Sequence, residues 1–303
     1  MDLKTLSQKE RSIGWLFLAP SLVILAIVYG YPIFRALWLS LFRENLGTNL
    51  NPVFNGLGNY DRLIQDGRFW LSLWHTSIFS LVSLAVELIL GLAIALLLDQ
   101  TFRGRGLVRT IAILPWALPT ALIALAWRWI FSGEFGVWND ILINWLHLID
   151  TPINWLGNPT WAMVCLIAAD AWKTTPFVSI LLLAGLQAIP QDLYEAHRMD
   201  GATSWQSFWQ ITLPLLLPQI LIALLFRFAQ AVGVFDLVAV MTGGGPGGAT
   251  EMVALYIYAT VMRYLDFGYG AALVVITFLI LISVVAMVRG LLIRVQRLTG
   301  VEP

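Results

Sequence analysis

Six stretches of this chain run for about 20 residues or more with few charges: 12–40, 70–98, 107–131, 159–186, 210–241 and 267–291. A helix of that length crosses the roughly 30 Å hydrocarbon layer of a bilayer. No water is present there to satisfy backbone N–H and C=O groups, so each crossing has to close its own hydrogen bonds, as a helix does. The pattern predicts an all-α membrane protein with six transmembrane helices. Composition agrees: 59% of the residues are hydrophobic and 12% are charged, whereas a soluble domain carries about a quarter charged residues. The net charge of zero excludes the basic footprint of a nucleic-acid-binding chain. Cys165 is the only cysteine and lies in an apolar run, which argues against a disulfide framework or a zinc cluster and for a small buried side chain.

The N-terminal run from Ser12 to Phe34 holds no charge. A signal peptide's apolar region is about 7–15 residues and ends at a small-residue cleavage site. This run is longer and shows no such site, so it reads as a retained first span. With the N-terminus inside, the inner segments hold Lys4, Lys9, Arg11, Arg103, Arg105, Arg109, Arg198, Arg289, Arg294 and Arg297, against Arg43, Arg62, Arg68 and Arg263 outside. Ten against four places both termini in the cytoplasm under the positive-inside rule. The stretch from Ser132 to Pro159 has no Lys or Arg and carries Trp138, Trp145 and Trp155, with Trp161 just beyond, as suits an outer interfacial belt. Residues 1–69 then form an N-terminal tail, the first span and an outer loop; 70–291 form the main transmembrane domain; 292–303 form a tail.

That orientation puts the longest inner loop at about 187–213, between spans four and five. Pro190 suits the first position of a helix because it has no N–H to satisfy, and Asp192 and Glu195 lie near the positive end of its dipole. Leu193, Ala196 and Met199 make a weak apolar face, and Glu195 can pair with Arg198. Gly201 breaks the run, and Thr203 with Gln206 predicts a capping box for a second short helix carrying Trp205, Phe208 and Trp209. Two readings stand on these residues: an amphipathic helix lying on the membrane surface, or a small helix that docks against another protein. The short length, the acidic residues and the few basic ones favour docking.

The order Glu195-Ala196, then Gly201, then nine residues to "ITLP" (Ile211 to Pro214), resembles the EAA loop of ABC importer permeases. His197 stands where that pattern has its second Ala. "LPWALPT" (Leu114 to Thr120), "LAGLQAIPQDLYEA" (Leu183 to Ala196), "VFDLVAVMTGGGPGGATE" (Val234 to Glu251) and "LYIYATVMRYLDFGYGAAL" (Leu255 to Leu273) are similar to the carbohydrate-importing branch, the maltose- and glycerol-phosphate-type permeases. The resemblance covers most of the chain from about residue 70 on. It implies a type I ABC importer permease fold in a bacterial inner membrane, with 70–291 as its transmembrane domain. It also implies a coupling helix that docks on a cytoplasmic ATPase through Glu195, Ala196, His197, Asp200, Gly201 and Ala202. Implied partners are a second, non-identical permease subunit, two ATPase subunits that bind ATP and Mg, and an extracellular solute-binding protein.

The chain has no G-x-x-x-x-G-K-S/T loop, and "TGGGPGG" (Thr242 to Gly248) has no Lys and reads as a turn. His75, His147 and His197 lie in different segments, so no catalytic or metal-binding constellation is expected. Charges inside spans are functional candidates: Glu87 in span two, Asp170 and Lys173 in span four, Arg227 and Asp236 in span five. Asp170 and Lys173, at i,i+3, read either as an ion pair bracing the bundle or as part of a pathway. Pro176 between them and the span's end can kink the helix and free backbone groups. Trp172, Lys173, Phe177, Arg227 and Gln230 are the candidate pathway residues, since sugars stack on aromatic rings and hydrogen-bond through their hydroxyls. Gly244, Gly245 and Pro246 are candidate contacts for the binding protein. The same machinery importing an amino acid or phosphate ester, or an ion-coupled carrier, are the rival readings.

Overall fold

A computed structural model describes residues 3–299. The chain divides into two compact units, one from residues up to Asp66 with Ile257–Phe278, the other from Gly67–Tyr256 with residues from Leu279 on.

In the first unit, α1 (Leu3–Leu25) and α2 (Tyr31–Leu39) are joined through one wide helical turn, Ala26–Gly30. Their apolar part, Gly14–Leu39, is 26 residues long, and none of the side chains in its most apolar stretch is buried within the chain. A helix that is apolar on every side and packed on none is built for lipid or for another subunit. The expected outer loop then proves ordered. A hairpin of β1 (Phe42–Asn45) and β2 (Asn49–Phe54) pairs Phe42 with Phe54 and Arg43 with Val53, with a bulge before Asn45. The helix α3 (Gly58–Ile64) follows. Gly268 lets the hairpin close in, because a Cβ there would overlap the Phe42 carbonyl.

The second unit contains α4 (Gly67–Asp99), α5 (Arg105–Ala117), α6 (Thr120–Ile130), α7 (Val137–Asp140), α8 (Pro159–Gln187), α9 (Gln191–Met199), α10 (Ser204–Ser207), α11 (Leu213–Val232) and α12 (Asp236–Met241). The chain continues through α13 (Val253–Tyr258), which opens into a wide turn at Ala259–Arg263, to α14 (Phe267–Thr299). The core has two clusters: Leu182, Leu216 and Ile220 where α8 meets α11, and Phe79 of α4 and Leu166 of α8 with Leu237 and Met241 of α12. Small residues allow this closeness. An added Cβ at Gly91 of α4 would lie 2.7 Å from the Val178 side chain of α8, and one at Gly185 of α8 would lie 2.7 Å from Leu216 of α11.

Five of the six expected spans are long apolar helices among the described residues, at Gly14–Leu39, Gly67–Asp99, Pro159–Gln187, Ser204–Val232 and Phe267–Gly290. The third is not straight: α5 and α6 meet at 90°. Pro119 is the cause, since a residue before proline is driven out of the helical region and Leu118 is extended (φ −77°, ψ 144°). The fifth ends earlier than the apolar run suggests, at Val232, and Asp236 opens the separate short helix α12 instead of sitting inside the span. Pro176, expected as a kink, lies inside an unbroken α8.

Val178 is β-branched and stiff, so it cannot yield to a larger neighbour. Gly91→Val should destabilise the detergent-solubilised protein by about 1–3 kcal/mol, the usual range for overpacking, read as a lower Tm. Gly290→Val, where an added carbon meets nothing within 4 Å, should leave Tm essentially unchanged.

Candidate functional site

The segment between α8 and α11 forms a closed elbow. Pro190 sits one residue before α9 rather than at its first position, in an extended conformation (φ −60°, ψ 132°). No residue of α9 is buried. Glu195, Ala196 and Asp200 are exposed, His197 is half-buried, and Met199 keeps 88% of its surface. Gly201 has φ +81°, a conformation that costs an L-residue roughly 1–2 kcal/mol. Its N–H bonds the Arg198 carbonyl and the Ala202 N–H bonds the His197 carbonyl, which is a complete Schellman termination. The capping box forms as expected: Gln206 N donates to Thr203 Oγ1 at 3.3 Å and Thr203 N to Gln206 Oε1 at 2.7 Å. Tyr194 of α9 reaches Thr212, at the foot of α11, through its hydroxyl at 2.9 Å. Arg198 bonds the Tyr194 carbonyl at 3.2 Å and forms no ion pair with Glu195. Trp205 stacks on Phe208 at 6.0 Å, and Trp209 meets both edge-on at 5.5 and 5.3 Å. A cavity of about 750 Å³ lies behind the elbow, with Asp99, Gln100, Tyr194, Arg198 and Thr212 in its wall.

The charges inside the spans converge. Arg227 on α11 holds the Glu87 carboxylate of α4 with two parallel bonds, Nε at 2.5 Å and Nη2 at 2.7 Å. The same guanidinium reaches Asp170 of α8 at 2.9 Å and Gln230 at 2.8 Å. Glu87, Arg227 and Asp170 are all buried. Asp170 therefore pairs with Arg227 and not with Lys173, contrary to the local i,i+3 reading. Lys173 instead points its amine to the Trp116 carbonyl at 3.4 Å. Formally the two carboxylates, Arg227 and Lys173 sum to zero. A bidentate, fully hydrogen-bonded arrangement is what lets charges persist in a low-dielectric interior.

The candidate pathway residues fall into two groups. Arg227 and Gln230 are bonded to each other, with Gln230 exposed. Phe177 stacks on Trp116 at 5.6 Å, and Trp172 meets Trp127 edge-on at 5.8 Å while keeping 44% of its surface. Trp116 and Trp127 were not singled out by sequence reading. Trp116 lies within "LPWALPT", and only the bend at Pro119 brings α5 and α6 each against α8 with an indole.

The glycine-rich loop is anchored rather than free. Gly243, Gly244, Gly247 and Gly248 take positive φ, and a cis bond precedes Pro246. Thr250 Oγ1 donates to the Gly245 carbonyl at 2.6 Å, and Glu251 is held by Nε and Nη2 of Arg68, both at 2.7 Å. Of the three residues expected as partner contacts, Gly244 is buried while Gly245 and Pro246 are partly open.

A family model described as binding-protein-dependent transport system inner membrane component matches residues 87–297. The trehalose/maltose transport system permease protein of Thermococcus litoralis is 42% identical over 92% of this chain and 92% of its own length. The sulfoquinovosyl glycerol transport system permease protein of Agrobacterium fabrum is 39% identical over 91% of this chain and 89% of its own. Among solved structures, a bacterial ABC transporter that imports the acidic polysaccharide alginate superposes with a TM-score of 0.80 over 97% of this chain and 99% of its own, at 23% identity. That last likeness is one of fold.

Removing the cation from the buried cluster strands two carboxylates. Arg227→Met should lower the stability of the solubilised protein by about 3–5 kcal/mol. The triple change Arg227→Met, Glu87→Gln, Asp170→Asn should recover much of that loss, because no unpaired charge remains. Thermal unfolding of the two variants side by side measures both.

Proposed function

The chain belongs to the family of binding-protein-dependent transport system inner membrane components, and from that membership we propose that it is one permease subunit of an ATP-driven carbohydrate importer. The elbow is the observation that carries this reading. It presents α9 with its apolar stripe of Leu193, Ala196 and Met199 uncovered, and it connects that helix to α11 through hydrogen bonds rather than through slack chain. A cytoplasmic ATPase that grips α9 by Glu195, Ala196, His197, Asp200, Gly201 and Ala202 would move α11 with it. Because Arg227 ties α11 to α4 and α8, that push would reach three helices at once.

In this reading both termini and the elbow face the cytoplasm, in a bacterial inner membrane. Two ATPase subunits bind ATP and Mg and hydrolyse the nucleotide, and a second, non-identical permease completes the pathway. Trp172, Lys173, Phe177, Arg227 and Gln230 contribute to the pathway wall or to its support. A solute-binding protein delivers the sugar at the face that holds Gly244, Gly245 and Pro246. The two relatives with sugar-related cargo in their names support the substrate class.

ATP-dependent uptake of trehalose and maltose by the complex purified with its partners and reconstituted in liposomes tests this directly. Uptake that needs an ion gradient and not ATP would refute it. In the same assay Gly201→Val should abolish uptake and sugar-stimulated ATP hydrolysis, because a β-branched residue at φ +81° opens the turn. The variant should still insert, as membrane-fraction blots will show. Trp172→Ala should raise the KM for sugar while leaving basal ATP hydrolysis unchanged.

A further inference from the structure

A second polar concentration lies in the unit formed by residues up to Asp66 with Ile257–Phe278. The hairpin, α3 and the residue before α14 surround a cavity of about 310 Å³, with Arg43, Asn45, Thr48, Asn59, Arg62 and Asp266 in its wall. That volume is at the small-ligand end of the range for binding pockets, about 300–1,000 Å³.

The wall is held in place from behind. Asn59 is buried and spends both amide protons on the Ser40 and Phe42 carbonyls, each at 2.8 Å. Asp266 is buried, accepts from Arg62 Nη1 at 2.7 Å and from the Tyr269 N–H at 3.3 Å. Arg62 lies 3.9 Å above the centre of the Tyr269 ring, whose hydroxyl bonds Asp66. These bonds fix the frame and leave particular groups unused among the described residues. Asn59 keeps its carbonyl oxygen as an acceptor. Asn45 uses its side-chain oxygen on the Gly47 N–H at 2.9 Å, which leaves two amide protons. The Arg43 side chain makes no hydrogen bond among the described residues, and Arg62 retains N–H groups beyond the one given to Asp266.

The unused groups define a ligand. Donors outnumber acceptors, so the ligand has to be rich in lone pairs. Asp266 and the Asn59 oxygen also accept, so it has to donate as well. Two arginines against one carboxylate leave the wall only mildly positive, a poor match for a dianion that would meet Asp266. Apolar ligands are excluded by the desolvation of so many polar groups. Hydroxyl groups meet both conditions, each offering one proton and two lone pairs. Adjacent hydroxyls on a ring match the parallel N–H groups of a planar guanidinium or amide.

We propose that this cavity is a sugar-hydroxyl subsite, on the face that the importer reading places outside the membrane; the inference rests on that reading. Arg62 covers the Tyr269 ring, so the wall offers no bare aromatic face for a sugar to stack on. The subsite therefore recognises hydroxyl geometry and holds sugar weakly, as a stopping point in passage rather than a storage site.

Thr48, in the same wall, can carry a reporter. Cys165, the only cysteine, is buried, so Thr48→Cys supplies the one accessible thiol of this chain, and labelling is read on this subunit's band. The reconstituted importer bearing it, without its binding protein, is labelled with a membrane-impermeant maleimide in the presence of maltose, trehalose or inorganic phosphate. The imported sugar at tens of millimolar should slow labelling several-fold and phosphate should not. Adding Arg43→Gln should raise the half-protecting sugar concentration about tenfold, as expected for losing one charge-assisted hydrogen bond. Leu46→Cys, an exposed neighbour outside the wall, serves as a second reporter. Equal rates with and without sugar at both reporters, from a wild-type complex that imports the sugar on ATP, would sink the subsite and leave the importer reading intact. Protection by phosphate would equally overturn it. A wild-type complex that imports neither sugar would instead count against the importer reading.

Discussion

Arg227 ties three helices of the larger unit together. A charged side chain in a bilayer interior persists only when its hydrogen-bonding capacity is taken up by partners. Here the partners come from three helices: Glu87 on α4, Asp170 on α8 and Gln230 on α11 itself. A planar guanidinium can serve them together because its N–H groups point in fixed, different directions. Separating any one of these helices from the others would break a charge-assisted bond in a place where water cannot replace it. The geometry thus favours joint movement of α4, α8 and α11 over movement of any one alone.

Two ends of this unit are stiffened by different means. At the elbow, backbone termination at Gly201, the Thr203–Gln206 box and the Tyr194–Thr212 bond remove slack between α9 and α11. At the glycine-rich loop, left-handed residues turn the chain and Arg68 clamps Glu251 against the start of α4. Stiff ends on a tied bundle transmit displacement, whereas a loose elbow would absorb it. No residue of α9 is buried, so the surface of the elbow helix stays open while both of its ends are held.

Much of the site was legible because it is local. The Gly201 turn and the capping box depend on residues within a few positions of each other, and their chemistry is readable one residue at a time. The spans were legible for a similar reason, since hydrocarbon thickness sets a minimum apolar length. Other features were not. The i,i+3 spacing made Lys173 the obvious partner of Asp170, yet Arg227, 57 positions away, takes it. Trp116 and Trp127 joined Phe177 and Trp172 only through the bend that Pro119 imposes. The hairpin at Phe42–Phe54 escaped notice because its residues show no clean apolar–polar alternation; it is held by the frame around Asn59 and Asp266 instead.

By itself, then, the sequence determined that this chain lives in a membrane, where its crossings fall, and that one polar elbow interrupts them with a glycine-terminated helix. Those properties follow from apolar length, capping chemistry and backbone conformational preference, all of which act over short distances along the chain. The tertiary structure alone decided which charges meet, which indoles pack across the bend at Pro119, and that a polar cavity forms beside the hairpin. Those outcomes depend on which helix faces approach each other, and in the low dielectric of a packed bundle the partner that supplies the fuller set of hydrogen bonds prevails over the one nearest in sequence.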